Sequence, residues 1–114
     1  MRSEDILKNI LEITGLPVSY WEYNGIKPEY IVYNEEAEQA ANYGDNKPQN
    51  AIVWWQVHIF TPKSGEFRKY REMLKTALRK AGFSVSEIVT LYEEETETET
   101  IHVVIPCHME ESEE

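Results

Sequence analysis

Histidine and cysteine side chains in the second half of the chain are the residues best suited to chemistry: His58, His102, Cys107 and His108. A cysteine beside a histidine can act as a nucleophile with its base. Cys107 and His108, however, are adjacent in a stretch that alternates like a β-strand, so their side chains point to opposite faces. Cys107 shares its face with apolar residues, which favours a buried structural thiol. As the single cysteine, it also excludes an intramolecular disulfide.

The three histidines are candidate metal ligands. His102 and His108 would be ~20 Å apart along one strand at about 3.3 Å per residue, so those two cannot share an ion. A site formed by His58, one of the other two and a nearby glutamate is the remaining alternative. The sequence has no spaced ligand motif and no glycine-rich phosphate loop. It therefore favours ordinary sheet-surface imidazoles and predicts no metal, no cofactor and no catalytic residue.

Hydrophobic periodicity and turn residues predict the element order α-β-β-β-α-β-β. The first helix spans 4–14, with Ser3 as its cap and with Gly15 and Pro17 as its stop. Asn24-Gly25 joins the first two strands as a hairpin. The second helix begins after a Ser64 cap and stops at Gly82. The Glu/Thr segment 93–99 joins the last two strands. In 35–49, the first half is either a strand extension or a short helix, and the second half is a loop.

This order predicts an α+β two-layer sandwich, with an antiparallel four- to five-stranded sheet and two helices on one face. At 114 residues the chain makes a single domain, 1–109, followed by an acidic tail, 110–114, predicted to be disordered. In the central strand, one face is apolar: Val53, Trp55, Val57 and Ile59. The other face carries Trp54, Gln56, His58 and Phe60. No predicted element covers that second face, which indicates an interface.

Charge is distributed unevenly along the chain. The net charge is −10, yet nine glutamates lie in 93–99 and 110–114, and without them the remainder is near −1. The bases concentrate on the second helix, where four share one flank: Arg68, Arg71, Lys75 and Arg79. The acidic segments would repel phosphate, so we expect no sequence-specific nucleic-acid partner. No apolar run approaches a membrane span, and Glu4 and Asp5 replace the apolar core of a signal peptide, so we expect a chain made in the cytoplasm, without a membrane partner.

Five stretches, in this order, resemble one family of proteins. They are "PEYIVYN" (28–34), "NYGDN" (42–46), "VWWQVHIFTP" (53–62), "YREMLKTALRKAGF" (70–83) and "LYEEETETETIHVVI" (91–105). Together they are similar to the small tail-completion and tail-terminator proteins of long-tailed (siphovirus-type) phages and prophages. The resemblance covers about two-thirds of the chain.

The resemblance implies an α+β fold, no enzymatic activity and assembly as a ring, such as a hexamer, at the head-proximal end of the tail tube. The implied partners are further copies of the chain, tail-tube proteins and head–tail connector proteins. The implied location is the virion, after synthesis in the host bacterial cytoplasm. The interface candidates are Trp54, Phe60, Arg68, Arg71, Lys75 and Arg79. The candidates for a ring lumen are Glu93, Glu94, Glu95, Glu97 and Glu99.

Two alternatives belong to other classes. One is a small α+β module that binds a ligand or peptide and dimerises through its exposed sheet face. The other is a metal-dependent enzyme that uses the histidines.

Overall fold

The computed structural model describes residues 2–44, 47–95 and 98–112, and within these ranges the side chains at 41–44, 47–49, 95 and 98 are not described. A single 3₁₀ turn, Glu12–Thr14, follows the first helix. The helices and strands are α1 (Ser3–Leu11), β1 (Val18–Tyr20), β2 (Tyr30–Gly44), β3 (Lys47–Pro62), α2 (Phe67–Lys80), β4 (Ser84–Val85), β5 (Val89–Glu95) and β6 (Thr98–Ser112). None of these described helices is long and apolar enough to cross a membrane.

The strands form one six-stranded sheet in the order β1-β2-β3-β6-β4, with β5 also paired to β6. The predicted α+β class is confirmed, but the sheet is mixed rather than antiparallel, because β1 runs parallel to β2. The predicted hairpin at Asn24-Gly25 is therefore wrong. Trp21 adopts a left-handed φ of 69°, and the loop after it returns the chain to the end of the sheet where β1 began. The predicted penultimate strand is two strands, β4 and β5, on the same edge of β6.

The hydrophobic core lies between the two helices and one face of the sheet, here called the inner face. Leu7 and Leu11 of α1 and Leu74 and Leu78 of α2 are all fully buried. They pack on alternate residues of β3 and β6: Val53, Trp55, Val57, Ile59, Ile101, Val103, Ile105 and Cys107. The predicted core face of the central strand is thus confirmed. The opposite face, here called the outer face, carries no helix in the described structure.

The central hairpin is longer than predicted. β2 and β3 remain paired as far as Gly44↔Lys47, so the segment from residue 35 extends the strand. The short-helix alternative and the loop predicted for its second half are wrong, apart from residues 45–46, which lie outside the described structure. The acidic tail was predicted to be disordered, but β6 continues to Ser112, opposite Asn50. Residues 113–114 lie outside the described structure.

Three register shifts interrupt the pairing of β2 with β3, between Glu35 and Ala37, between Ala40 and Asn42, and between Asn42 and Tyr43. Glu35 pairs with Trp55 and Ala37 pairs with Trp54, so Glu36 is an extra residue between two consecutive partners. This is a β-bulge, which bends a strand and increases its twist.

Both predicted serine caps are wrong. Arg2 is the N-cap of α1 and Glu66 is the N-cap of α2, and neither makes a side-chain capping hydrogen bond. Ser3 lies inside α1 and is fully buried, and its hydroxyl accepts a hydrogen bond from the indole of Trp55 instead of capping the helix. The predicted stops are confirmed, since Gly15 and Gly82 take left-handed φ values of 77° and 101° after the two helical segments.

Candidate functional site on the outer face

Four rings stack side by side across the outer face. The centroid distances are 4.3 Å from Tyr23 to Tyr30, 4.9 Å from Tyr30 to Phe60 and 4.2 Å from Phe60 to His102. The last three rings come from β2, β3 and β6, where Tyr30, Phe60 and His102 are cross-strand partners. Such stacked cross-strand pairs stabilise a sheet. Phe60 is therefore covered on both sides by its own chain and remains only half-buried.

The loop that follows β1 supplies the fourth ring of this stack. Tyr23 reaches across the sheet from this loop, and Val32, an outer-face residue, is only 7% exposed. The expectation that nothing in the chain covers the outer face is therefore wrong at this end of the sheet. Between the loop and the strands lies a cleft of about 380 Å³, lined by Trp21, Glu22, Tyr23, Tyr30, Val32, Asn34, His58, Phe60 and His102.

A chain of side-chain hydrogen bonds runs across the floor of this cleft, and we call it the imidazole chain. His58 Nε2 lies 3.0 Å from Asn34 Oδ1, and His58 Nδ1 lies 2.8 Å from His102 Nε2. His102 Nδ1 lies 3.1 Å from Glu93 Oε1. Each of the four residues belongs to a different strand, in the order β2, β3, β6 and β5. The imidazole chain therefore links four strands through side chains alone.

The acceptor at the Asn34 end of the imidazole chain indicates which nitrogen of His58 carries the proton. Asn34 Nδ2 donates to Gln56 Oε1 over 3.4 Å, which turns Asn34 Oδ1 toward His58. His58 Nε2–H then donates to that oxygen, and His58 Nδ1 is left as an acceptor. Burial, and then the charge of His102, lower the pKa of His58, so this ring is neutral. His102 lies within hydrogen-bonding distance of both neighbours, through Nε2 to His58 and through Nδ1 to Glu93.

Trp54 and His108 form a second, smaller contact at the other end of the outer face. Their rings lie 4.0 Å apart between centroids, and the two residues are cross-strand partners. His108 Nδ1 is buried without a hydrogen-bond partner among the described residues. Trp54 is half-buried, so part of its indole faces solvent.

Cys107 lies on the inner face, opposite to His108. The thiol is fully buried, and burial raises its pKa to about 12. A neutral thiol in the core has no access to substrate and cannot act as a nucleophile at neutral pH.

The basic candidates lie on the helical layer, not on the outer face. Arg71 Nη1 donates to Thr90 Oγ1 of β5 over 3.2 Å, which places this flank of α2 on the β5 side of the helix. Lys75 Nζ lies 2.8 Å from Glu72 Oε2, and both side chains remain partly accessible. Arg68 and Arg79 are exposed. The four residues therefore line one flank, which we call the basic flank.

The acidic hairpin between β5 and β6 is confirmed as a hairpin, from Val89↔Val104 to Glu95↔Thr98. Two of its glutamates have partners, since Glu93 accepts from His102 and Glu99 lies 3.8 Å from Lys63. Glu94 is exposed. Glu97 lies outside the described structure. The lumen position predicted for this hairpin remains a prediction.

The sequence placed His58 and Phe60 on the outer face but missed their partners. Asn34 and Tyr30 could have been found, because alternation in "PEYIVYN" puts both on one face of their strand. The register that brings them beside β3 was not readable. Among the described residues, no three His, Cys, Asp or Glu side chains are grouped to hold a metal ion.

Comparisons with known proteins assign no family to this chain. No protein-family model matches the chain, and no curated protein matches it. One solved structure of a protein without a stated function is 12% identical over 95% of this chain and 96% of its own, with a TM-score of 0.46.

Proposed function

We propose that this chain is a non-enzymatic structural protein of a phage or prophage tail. It assembles head to tail as a ring, with six copies as the expected number, at the head-proximal end of the tail tube. The observation that carries the proposal is that two opposite edges of the protomer have opposite charge at the same height in the sheet. A closed ring needs two different surfaces of this kind, since each copy contacts two neighbours in different ways.

The first surface is the free edge of β2, which we call the acidic edge. β1 pairs with β2 only as far as Tyr33, and no described strand lies beside β2 after that residue. Three exposed glutamates occupy the unpaired part: Glu35, Glu36 and Glu38. Free edges invite pairing with another chain, and charges there restrict which chain can approach.

The second surface is the basic flank of α2, on the opposite side of the protomer. It begins beside Thr90 of β5 and runs with the helix toward β4, because α2 ends just before Ser84. The Glu-rich turn lies in the opposite direction along β6. The basic flank is therefore separated from the chain's own acidic hairpin and is open to a neighbour.

The two surfaces lie level with each other across the sheet. Glu35 pairs with Trp55, Trp55 with Cys107, and Cys107 with Val85 of β4. A copy displaced sideways across the sheet would present its acidic edge to the β4 end of the basic flank, where Lys75 and Arg79 lie. Exposed ion pairs add little affinity, so the expected contribution is to register and salt dependence.

The outer face contributes aromatic contact area in this proposal. Trp54 is half-buried within the protomer, and the exposed Leu91 and Val89 continue an apolar outer surface onto β5. Copies of the chain, tail-tube proteins and head–tail connector proteins are the expected partners. In the ring, the acidic hairpin lines the lumen, where its negative charge lets DNA pass without adhering.

The test is the mass of the assembly, measured by light scattering at low salt and again after addition of purified tail tubes. A ring of six or more copies in solution, or end-bound rings on tubes in electron micrographs, is expected. A charge exchange sharpens the test, because Arg71→Glu with Lys75→Glu should weaken assembly at low salt. A second chain carrying Glu35→Lys and Glu38→Lys should restore it when the two are mixed. A monomer that does not bind to tail tubes would contradict the proposal.

A second candidate function is a small-ligand-binding module that dimerises through the outer face. The cleft between the loop after β1 and the strands favours it, because aromatic walls with a few convergent polar groups are typical of ligand sites. Mass distinguishes the two candidates. A dimer whose mass does not change with tail tubes would favour this module over the ring.

A further inference from the structure

We propose that His58 and His102 form a two-imidazole site for a divalent transition-metal ion of the zinc class. The ion would bind between His58 Nδ1 and His102 Nε2, with water from the cleft completing its coordination. This departs from our sequence-based prediction of no metal site. It also goes beyond the proposed function, since it requires neither a ring nor a tail.

The first argument is that two nitrogen lone pairs can converge at this point. The two near nitrogens are 2.8 Å apart and are joined by one hydrogen bond. Without the proton of that hydrogen bond, two lone pairs face each other, and a cation between them can accept both. Zinc–imidazole bonds of about 2.0–2.1 Å in tetrahedral geometry need a nitrogen separation of about 3.3 Å. An opening of roughly half an ångström would therefore admit the ion.

The second argument is that the far nitrogen of each histidine already makes the kind of hydrogen bond that a metal-binding histidine normally makes. A histidine that binds a metal normally donates its other ring N–H to a carboxylate or carbonyl oxygen, which sets its tautomer and orientation. His58 Nε2 faces the amide oxygen of Asn34 at 3.0 Å, and His102 Nδ1 faces the carboxylate of Glu93 at 3.1 Å. Both rings therefore present their remaining nitrogen to the same point.

The third argument concerns access and ligand type. Both histidines line the cleft of about 380 Å³, which has room for coordinated water, and Glu22 lines the same cleft. Imidazole nitrogen favours zinc, copper and nickel over magnesium or calcium. Glu93 acts on the far nitrogen of His102, so it orients a ligand and is not one itself. The proposed site therefore has two protein ligands, and no group of three is found among the described residues.

Calorimetric titration of the full-length metal-free chain with zinc chloride tests the proposal. One ion per chain is expected, and His58→Ala or His102→Ala should weaken binding at least tenfold. His108→Ala is the matched control, because it removes the third histidine from the same strand as His102 and should leave binding unchanged. Circular dichroism shows whether each variant folds. Absence of binding to the wild type, or equal weakening by His108→Ala, would overturn the proposal.

A second pair of variants keeps both imidazoles in place. Glu93→Ala removes the carboxylate that orients His102, and loss of such a partner typically weakens metal binding about 10- to 100-fold. Glu94→Ala removes the same charge from the next, exposed position and should have little effect. Equal weakening by the two would show a general effect of charge and contradict the assigned geometry. Nitrogen-15 shifts of the His58 and His102 rings should move on zinc addition while those of His108 stay constant.

Discussion

The indole Nε1 of Trp55 donates a hydrogen bond to the hydroxyl of Ser3 over 3.0 Å, across 52 residues of sequence. The same hydroxyl donates to Glu111 Oε2 over 2.6 Å, near the end of β6. One small side chain therefore ties the start of α1 to two strands of the sheet. It also gives the buried indole N–H the partner that such a group requires.

Ser3→Ala should lower the free energy of unfolding by about 1–3 kcal/mol, because it leaves the indole N–H of Trp55 buried without a partner. Urea unfolding followed by tryptophan fluorescence measures this. Ser64→Ala is the control, since Ser64 is exposed, and its effect should stay within about 0.5 kcal/mol. If the two variants were equally stable, the buried hydrogen bond would not be a significant contributor.

Trp54→Ala should leave the protomer folded but weaken assembly by about 2 kcal/mol or more, as aromatic anchors at interfaces often do. Light scattering against concentration measures the association. Phe60→Ala should weaken assembly and also destabilise the protomer, because Phe60 stacks on Tyr30 and His102 within its own chain. Assembly at wild-type strength in the folded Trp54→Ala variant would exclude this part of the outer face from the interface.

Arg71→Glu combined with Lys75→Glu should weaken assembly most at low salt, because screening already reduces the attraction at high salt. Assembly is measured by light scattering between low and high salt. Lys8→Glu on α1 is the control, since it also reverses an exposed positive charge but lies away from the basic flank. Assembly that matches the wild type at every salt concentration would mean that the basic flank is only a solvated surface.

Stability should fall as pH rises from about 10 to about 12, in part through Tyr33. Burial, and then the charge of Glu4 3.2 Å away, raise the pKa of Tyr33 from 10.0 to about 12. The folded state therefore holds the Tyr33 proton more tightly than the unfolded state. The stabilisation that Tyr33 contributes to folding is complete below pH 10 and is lost as the pH approaches 12.

Urea unfolding at several pH values measures this loss. Tyr33→Phe keeps the ring and removes the titrating group, so its stability should decline less over the same interval. An identical decline in both proteins would assign the alkaline loss to other groups.

The Cys107 thiol should not react with a thiol reagent in the native protein at neutral pH, because it is buried and its pKa is raised to about 12. It should react at once in denaturant, and the native rate should follow the rate of unfolding. Colorimetric thiol titration measures both rates. Rapid reaction of the native protein would show that the inner face opens at this position without global unfolding.

Alternation along the central strand was sufficient to predict its two faces, because side-chain direction in a strand is local. Trp55 and His58 were placed on the correct sides for this reason. The same rule predicted that Cys107 and His108 are separated by the sheet. Helix ends marked by Gly15 and Gly82 were also readable, since a left-handed φ strongly favours glycine.

The remaining features depend on long-range register, which local patterns do not contain. No residue near Asn34 in the sequence indicates that Asn34 will lie beside His58. The two residues are brought together by the register of β2 on β3, which includes the bulge at Glu36. The parallel pairing of β1 also depends on the path of a loop that an Asn-Gly pair does not predict. The sequence offered His58, a second histidine and a glutamate as one alternative grouping, but it did not predict Asn34 or the stacked rings beside them.

The bulge at Glu36 makes one position of β2 tolerant of a change in chain length. Glu35 and Ala37 already pair with the consecutive residues Trp55 and Trp54, so a chain lacking Glu36 would keep every later residue on its present face. Deletion of any regularly paired residue would instead turn the rest of its strand over, exchanging buried and exposed side chains. Natural variation in length within this hairpin should therefore concentrate at Glu36 and at the two register shifts nearer the turn, between Ala40 and Tyr43.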